Sequence, residues 1–313
     1  MKYSGIGGQA VLEGVMMRNG DRYAVAVRTP EGTIEVRTHD IKNKRTGFLA
    51  WPFVRGVVSF VDSLVLGMSS LTESASYYED EETAGLSKEE KEKQEKKENF
   101  FTILIAVVLA VGLFLLLPYG ISRLLGRFIS SESLLVLIEG VIRVALFIAY
   151  VAAISLMEDI KRTYMYHGAE HKCINCIEHG LPLTVDNVRA SSRQHKRCGT
   201  SFLLIVCIIS IFVFMLVRVP NPVIKLLSRI VLIPVIAGIS YEFLSLAGRN
   251  DNPVIDVLSK PGLMLQKLTT AEPDDDMIEV GIASVEAVFD WKAFLTENFD
   301  MHFEETADVE TEE

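Results

Sequence analysis

Cysteine is scarce in this chain: four in 313 residues, too few for a disulfide framework. Positive charge is also in short supply. With 31 basic against 41 acidic residues the net charge is −10. No overall field draws in phosphate backbones, which excludes a general nucleic-acid binder. The opening residues, MKYSGIGGQA, have no apolar core of signal-peptide length, so a cleaved secretory leader is not expected. No Walker-type phosphate loop occurs. GIGGQA (5–10) fits G-x-G-x-x-A, but only four residues precede it, no strand leads in and no helix pattern follows. Nucleotide binding is therefore not expected.

What the sequence does have is segregation. Its apolar fraction is 49% despite the many charges, so very apolar stretches alternate with very polar ones. Four stretches meet or approach the length of a membrane span. Phe100 to Pro118 carries no charge, Leu134 to Met157 contains Glu139 and Arg143, Phe202 to Val217 is short but purely apolar, and Leu226 to Ala247 contains Arg229 and Glu242. Residues 47–71 are interrupted by Arg55 and Asp62 and read as an interfacial or embedded amphipathic helix. A fifth span there would put residues 1–46 outside.

Loop charge orients the spans. Seven Lys or Arg lie between Glu158 and Ser201, against only Arg123 and Arg127 between Tyr119 and Ser133. The positive-inside rule places both termini and the 158–201 loop in the cytoplasm, at the inner membrane. The fold class expected is a mainly α membrane protein, with about four transmembrane helices plus an interfacial helix and a small N-terminal cytoplasmic β unit.

Residues 1–46 form that β unit. YAVAVRTPEGTIEVRTH supplies two strands around Thr29-Pro30-Glu31-Gly32, and QAVLEGVMMR reads as a third. Residues 72–99 are a charged linker or helix, in which SKEEKEKQEKKE (87–98) has five Lys and five Glu. Residues 100–247 form the four-helix domain and 248–290 a cytoplasmic segment. In that segment Glu272-Pro273-Asp274-Asp275-Asp276 marks the N-terminus of a helix. Residues 291–313 are expected to be an acidic, disordered tail.

The chemistry-bearing cluster is YMYHGAEHKCINCIEHG (164–180). His167, Glu170 and His171 form H-x-x-E-H and share one helix face. Two imidazoles at i and i+4 suit one zinc ion, and Glu170 is placed to act as general base toward water. Gly168 weakens such a helix by about 1 kcal/mol. His195 and Cys198 are candidate further ligands, with Glu242 a possible ligand or outer partner and Arg249 its alternative neighbour. A competing parse joins Cys173-x2-Cys176 to His195-x2-Cys198 as a closed structural zinc site. A third leaves the polar groups to satisfy one another with no metal. His179 reads as surface and Cys207 as apolar filler.

GGQAVLEGVMMR (7–18), YHGAEHK (166–172), HKRCGT (195–200), LIPVIAGISYE (232–242) and LQKLTTAEPDDDMIEVGIA (265–283) together resemble the YqhQ family of bacterial membrane proteins. That family is one of unknown function, labelled as metal-dependent enzymes. The resemblance runs from about residue 4 to about residue 290. It implies a multi-pass inner-membrane protein, and it implies that His167, Glu170, His171, His195 and Cys198 act as one constellation. Its N- and C-terminal motifs are expected to fold over the 158–201 loop, with Gln9, Glu13 and Arg18 as hydrogen-bonding support. Two functions stay open. One is a zinc-dependent hydrolase, possibly a peptidase, at the cytoplasmic membrane face. The other is a non-catalytic factor that meets the lipid bilayer and other membrane proteins or the translocation machinery, with Glu139, Arg143 and Glu242 facing a protein groove.

Overall fold

A computed structural model describes residues 1–41, 47, 51, 54–78, 88–217, 219, 221–249 and 253–303. The chain divides into two compact units. The first is assembled from Met1–Lys44, Arg162–His195 and Thr270–Glu313, the second from Arg45–Lys161 and Lys196–Thr269.

The first unit opens with an antiparallel sheet in the order β1-β2-β3-β4. Its strands are β1 Gly7–Val11, β2 Gly14–Asn19, β3 Arg22–Arg28 and β4 Ile34–Asp40. QAVLEGVMMR is not one strand, as expected from its apolar run, but a hairpin. Glu13 at φ 48° turns the chain so that Val11 pairs with Gly14 and Gly7 with Arg18. The hairpin around Gly32 matches expectation, with Arg28 opposite Ile34. β2 and β3 are buried without alternation because both faces are covered. α5 (Glu158–Glu178) brings Tyr166, Ala169 and Ile174 to the same core as Val15, Met17 and Ala26. α11 (Asp275–Glu286) contributes Met277, Ile278 and Val280. Asp274 caps α11 by accepting from the Met277 amide at 2.9 Å, as the acidic run predicts.

The disordered tail expected from residue 291 does not begin there. Trp291–Phe299 is a helix, α12, whose Leu295 is fully buried in the same core. Burying that side chain contributes about 2 kcal/mol, which the acidic composition around it conceals. Residues 304–313 lie outside the described residues.

Among the described residues, five helices in the second unit are long and apolar enough to cross a membrane, one more than expected. They cover Val54–Ala75 (α1), Phe100–Leu125, Glu132–Ile154 (α4), Gly199–Leu216 (α7) and Val223–Leu246. Their outer faces suit lipid: Leu109, for example, is 66% exposed. The run before the second of these, Lys88 onward, is helical and continuous with it (α2, Lys88–Val111). A single π-helical turn at Gly112–Leu116 precedes α3 (Leu117–Leu125), which begins at a proline. Pro118 has no N–H for the Phe114 carbonyl, and the backbone widens there. The freed Phe114 oxygen accepts from Arg143 Nε at 2.9 Å. Glu139 and Arg143 therefore face the interior of their own unit, where they pair at 2.7 Å, and not an outside groove. α6 (Val185–Ala190) belongs to the first unit. α8 (Pro222–Val231), α9 (Ile233–Arg249) and α10 (Pro253–Thr269) complete the second.

Candidate metal centre

α5 is the spine of the first unit. From Gly168 to Glu178 every residue is buried, so the H-x-x-E-H segment is not a solvated helix end. Gly168 explains itself by close approach. A Cβ there would stand 2.1 Å from the Ala271 carbonyl oxygen, where the strap Thr270–Pro273 crosses the helix. The Ala271 amide donates to the Tyr164 carbonyl at 2.8 Å to hold the strap in place. The helix-propensity cost of Gly168 is accepted because no side chain fits.

One face of α5 laces itself to the backbone that carries His195. Lys172 Nζ donates to the carbonyls of Arg189 and Ser191, at 2.8 and 2.9 Å. Asn175 Nδ2 donates to those of Ser192 and Gln194, at 2.6 and 2.9 Å. His171 Nδ1 lies 2.6 Å from the Arg193 carbonyl. A carbonyl only accepts, so Nδ1 carries a proton, and in the neutral ring Nε2 holds the lone pair. This is the arrangement that orients a metal-ligating imidazole.

The three histidines converge within this unit. The His167 and His171 rings are 4.4 Å apart by centroid, and a ligand nitrogen of each lies within 4.8 Å of the other. The His171 and His195 rings are 5.8 Å apart. Glu170 Oε2 is 3.6 Å from His171 Nε2 and 3.9 Å from His167 Nε2. Glu170, His171 and His195 are 4%, 1% and 5% exposed. Gly8 of β1 covers Glu170: a Cβ on Gly8 would stand 3.0 Å from Glu170 Cγ. Gly8 of GIGGQA thus leaves room for a carboxylate side chain.

Glu178 was given no role by the motif. Two turns beyond His171, it is fully buried, and its Oε2 lies 3.4 Å from His195 Nε2. Its other oxygen accepts from the Ser4 amide and hydroxyl, at 3.0 and 2.7 Å. The seven-residue spacing from His171 was the available signal.

The remaining candidates divide between the two units. Cys198 and Glu242 belong to the second unit. Cys198 is the N-cap residue of α7, buried, with Sγ 3.1 Å from Thr200 Oγ1. Glu242 accepts from Arg55 Nε at 2.7 Å and with its other oxygen from Arg55 Nη2. Arg55 thus forms a fork–fork pair with Glu242, while the side chain of Arg249, the partner expected for it, lies outside the described residues. Glu13 does not reach toward the histidines. It binds Arg162 on α5 through both oxygens and accepts from Tyr166 Oη at 3.3 Å. Its hydrogen bond raises the guanidinium pKa of Arg162 further above its ordinary value. Arg18 Nε donates to its own turn at the Gly20 carbonyl. Gln9 sits in β1 opposite Met16, next to the covering glycine.

The knuckle parse fails. Cys173 Sγ packs where a Gly281 side chain would stand, 2.9 Å from the position of its Cβ. Cys176 Sγ lies 3.4 Å from the Pro182 carbonyl. Burial raises both thiols, Cys176 to about 11, so both remain protonated and turned into the core. His179 is exposed and Cys207 packs as filler, as expected.

Residues 51–291 match a family described as "Protein of unknown function (DUF1385)". The chain is 35% identical over 302 residues to the "Uncharacterized protein YqhQ" of Bacillus subtilis (strain 168), with 93% of this chain and 94% of that protein covered. The chain belongs to this family. The family match contains all three histidines, Glu170, Glu178 and Cys198, while β1–β4 lie before it. No solved structure matches the chain.

Proposed function

We propose that this member of the family is a multi-pass membrane protein with a zinc-dependent hydrolytic site, of which a peptidase site is one form, at the cytoplasmic membrane face. The observation that carries it is Glu170, whose carboxylate stands 3.6 and 3.9 Å from two imidazole nitrogens. Neutral imidazoles around a buried carboxylate offer lone pairs to a cation, which fits zinc. His167, His171 and His195 are the proposed ligands. Cys198, three residues beyond His195 in the chain, is proposed as the fourth on that spacing. Zinc supplies a Lewis acid that makes water a nucleophile near neutral pH. Glu170 accepts the proton of the attacking water, and Arg193 and Glu178 hold His171 and His195 in their tautomers.

Metal analysis of the purified full-length protein tests it. About one zinc per chain is expected in the parent and in Glu170→Gln, and a large loss in His171→Ala. Hydrolysis should fall by about 10²–10⁴-fold in Glu170→Gln. Absence of stoichiometric metal in carefully purified protein ends the proposal.

The burial of Glu170 beneath Gly8 favours a second reading, in which the centre only holds the unit together and the protein is a non-catalytic factor at the translocation machinery. Crosslinking in membranes separates the two. Translocation components captured equally by the parent and Glu170→Gln support this second reading.

Parity supports the proposed membrane topology. Segments 1–41 and 162–195 belong to one compact unit, so they lie on the same side of a bilayer. An even number of crossings must separate them, yet three candidate spans intervene. Two of the three cross. The one that does not is proposed to be Val54–Ala75, the least apolar of the five. The basic 158–201 loop then keeps the unit in the cytoplasm. A cysteine placed at residue 20 and one at residue 126 should label from opposite sides; labelling from the same side refutes this arrangement.

A further inference from the structure

The apolar unit holds a second group of buried charges, which the zinc reading does not use. Glu139 on α4 accepts from Arg143 Nη2 and from Arg229 Nη2, each at 2.7 Å. Arg143 is otherwise satisfied: Nη1 donates to Ser210 Oγ at 2.7 Å and Nε to the Phe114 carbonyl that Pro118 releases. Arg229 is not. It is 2% exposed, and its Nε and Nη1 meet no acceptor among the described residues. Its guanidinium faces the Phe214 ring at 4.5 Å and the Tyr119 ring at 5.6 Å. One carboxylate thus stands against two guanidiniums that do not release their protons. Low-dielectric surroundings penalise such an excess heavily.

Glu139 and Tyr119, both in contact with Arg229, also line a cavity of about 510 Å³. The same wall presents Arg123, Arg127 and Lys225. The only other acid between Phe100 and Met157 is Glu132, which lies 4.0 Å from Lys225. The cavity lining itself carries three cations against Glu139 alone, and with the adjoining Arg143, Arg229 and Glu132 the group counts five cations against two carboxylates. Leu135 and Val136 make one side apolar.

We propose that this cavity binds a phosphate-bearing anion. A phosphate offers several charged acceptor oxygens, which suits the planar forks of Arg123 and Arg127, and its charge offsets the excess left by Arg229. The cavity lies at the end of α3 and the start of α4, where two apolar helices meet polar surroundings. The headgroup of an anionic phospholipid fits that position, with its acyl chains along the helices; a soluble phosphate shares the chemistry.

The test uses the full-length protein in a zwitterionic detergent. It is titrated with short-chain phosphatidylglycerol, short-chain phosphatidylcholine and inorganic phosphate, with binding read by native mass spectrometry and the shift of the thermal midpoint. Phosphatidylglycerol should bind at least about ten-fold more tightly than phosphatidylcholine. Arg123→Gln/Arg127→Gln should erase that difference while the protein stays folded, because both residues line the open cavity and are exposed. Arg229→Gln should weaken phosphatidylglycerol too, but the exposed pair decides if that buried variant does not fold. Competition by inorganic phosphate identifies a soluble source; preference for phosphatidylglycerol without such competition identifies lipid. Equal binding of both lipids with no effect of inorganic phosphate overturns the proposal, as does phosphatidylglycerol binding unchanged by the double variant. Zinc content is independent of every outcome.

Discussion

The two units each bury a carboxylate among nitrogen bases, and the kind of base differs. In the first, Glu170 lies among imidazoles, which can be neutral and lend lone pairs. In the second, Glu139 lies between guanidiniums, which only donate and stay charged. The proposals above assign the first pattern a cation and the second an anion. They rest on the identity of the base more than on the presence of a buried acid.

The contrast breaks most visibly at Glu139. Glu139→Gln leaves two buried guanidiniums without a counter-charge, and a loss of about 3–5 kcal/mol in unfolding free energy is expected. Denaturant titration in detergent measures it; a loss below about 1 kcal/mol would mean that other groups neutralise the arginines. In the histidine unit a smaller change acts through packing. Gly168→Ala drives a methyl to 2.1 Å from the Ala271 oxygen. About 1–3 kcal/mol should be lost, with faster hydrogen exchange at the Ala271 amide.

Alkali sharpens the comparison further, because it titrates thiols in the first unit. Cys176 has its pKa raised by burial from 9.0 to about 11. The folded state then holds a proton that the unfolded state releases. Its contribution is complete below pH 9 and declines as pH rises toward about 11. Thermal midpoints should fall over that window, and less steeply in Cys176→Ala. The smallest effect is expected at Arg55–Glu242, where the arginine is 41% and the glutamate 25% exposed. Solvent screening there limits Arg55→Gln to about 1 kcal/mol or less.

Local spacing made much of the histidine centre legible. His167, Glu170 and His171 share a face because a helix repeats every 3.6 residues, and α5 is a helix. His195 joins them through a different kind of information. The backbone carbonyls of residues 189–194 receive Lys172, His171 and Asn175, and every residue type has a carbonyl. Cys173 and Cys176 sat at a convincing ligand spacing, yet the helix turns both into the core.

Apolar runs of span length announce themselves, since about 20 residues without water-compatible groups admit few other fates. Helical periodicity likewise needs no partner to be read. By itself, then, the sequence determined four of the five span-length apolar helices and the shared face of the H-x-x-E-H residues. Only tertiary structure decided which distant groups meet: Arg229 with Glu139, Arg55 with Glu242, Gly8 with Glu170, Glu178 with His195. Each of those pairs is separated by many residues, and whether a buried charge is neutralised depends on distances that chain order does not encode.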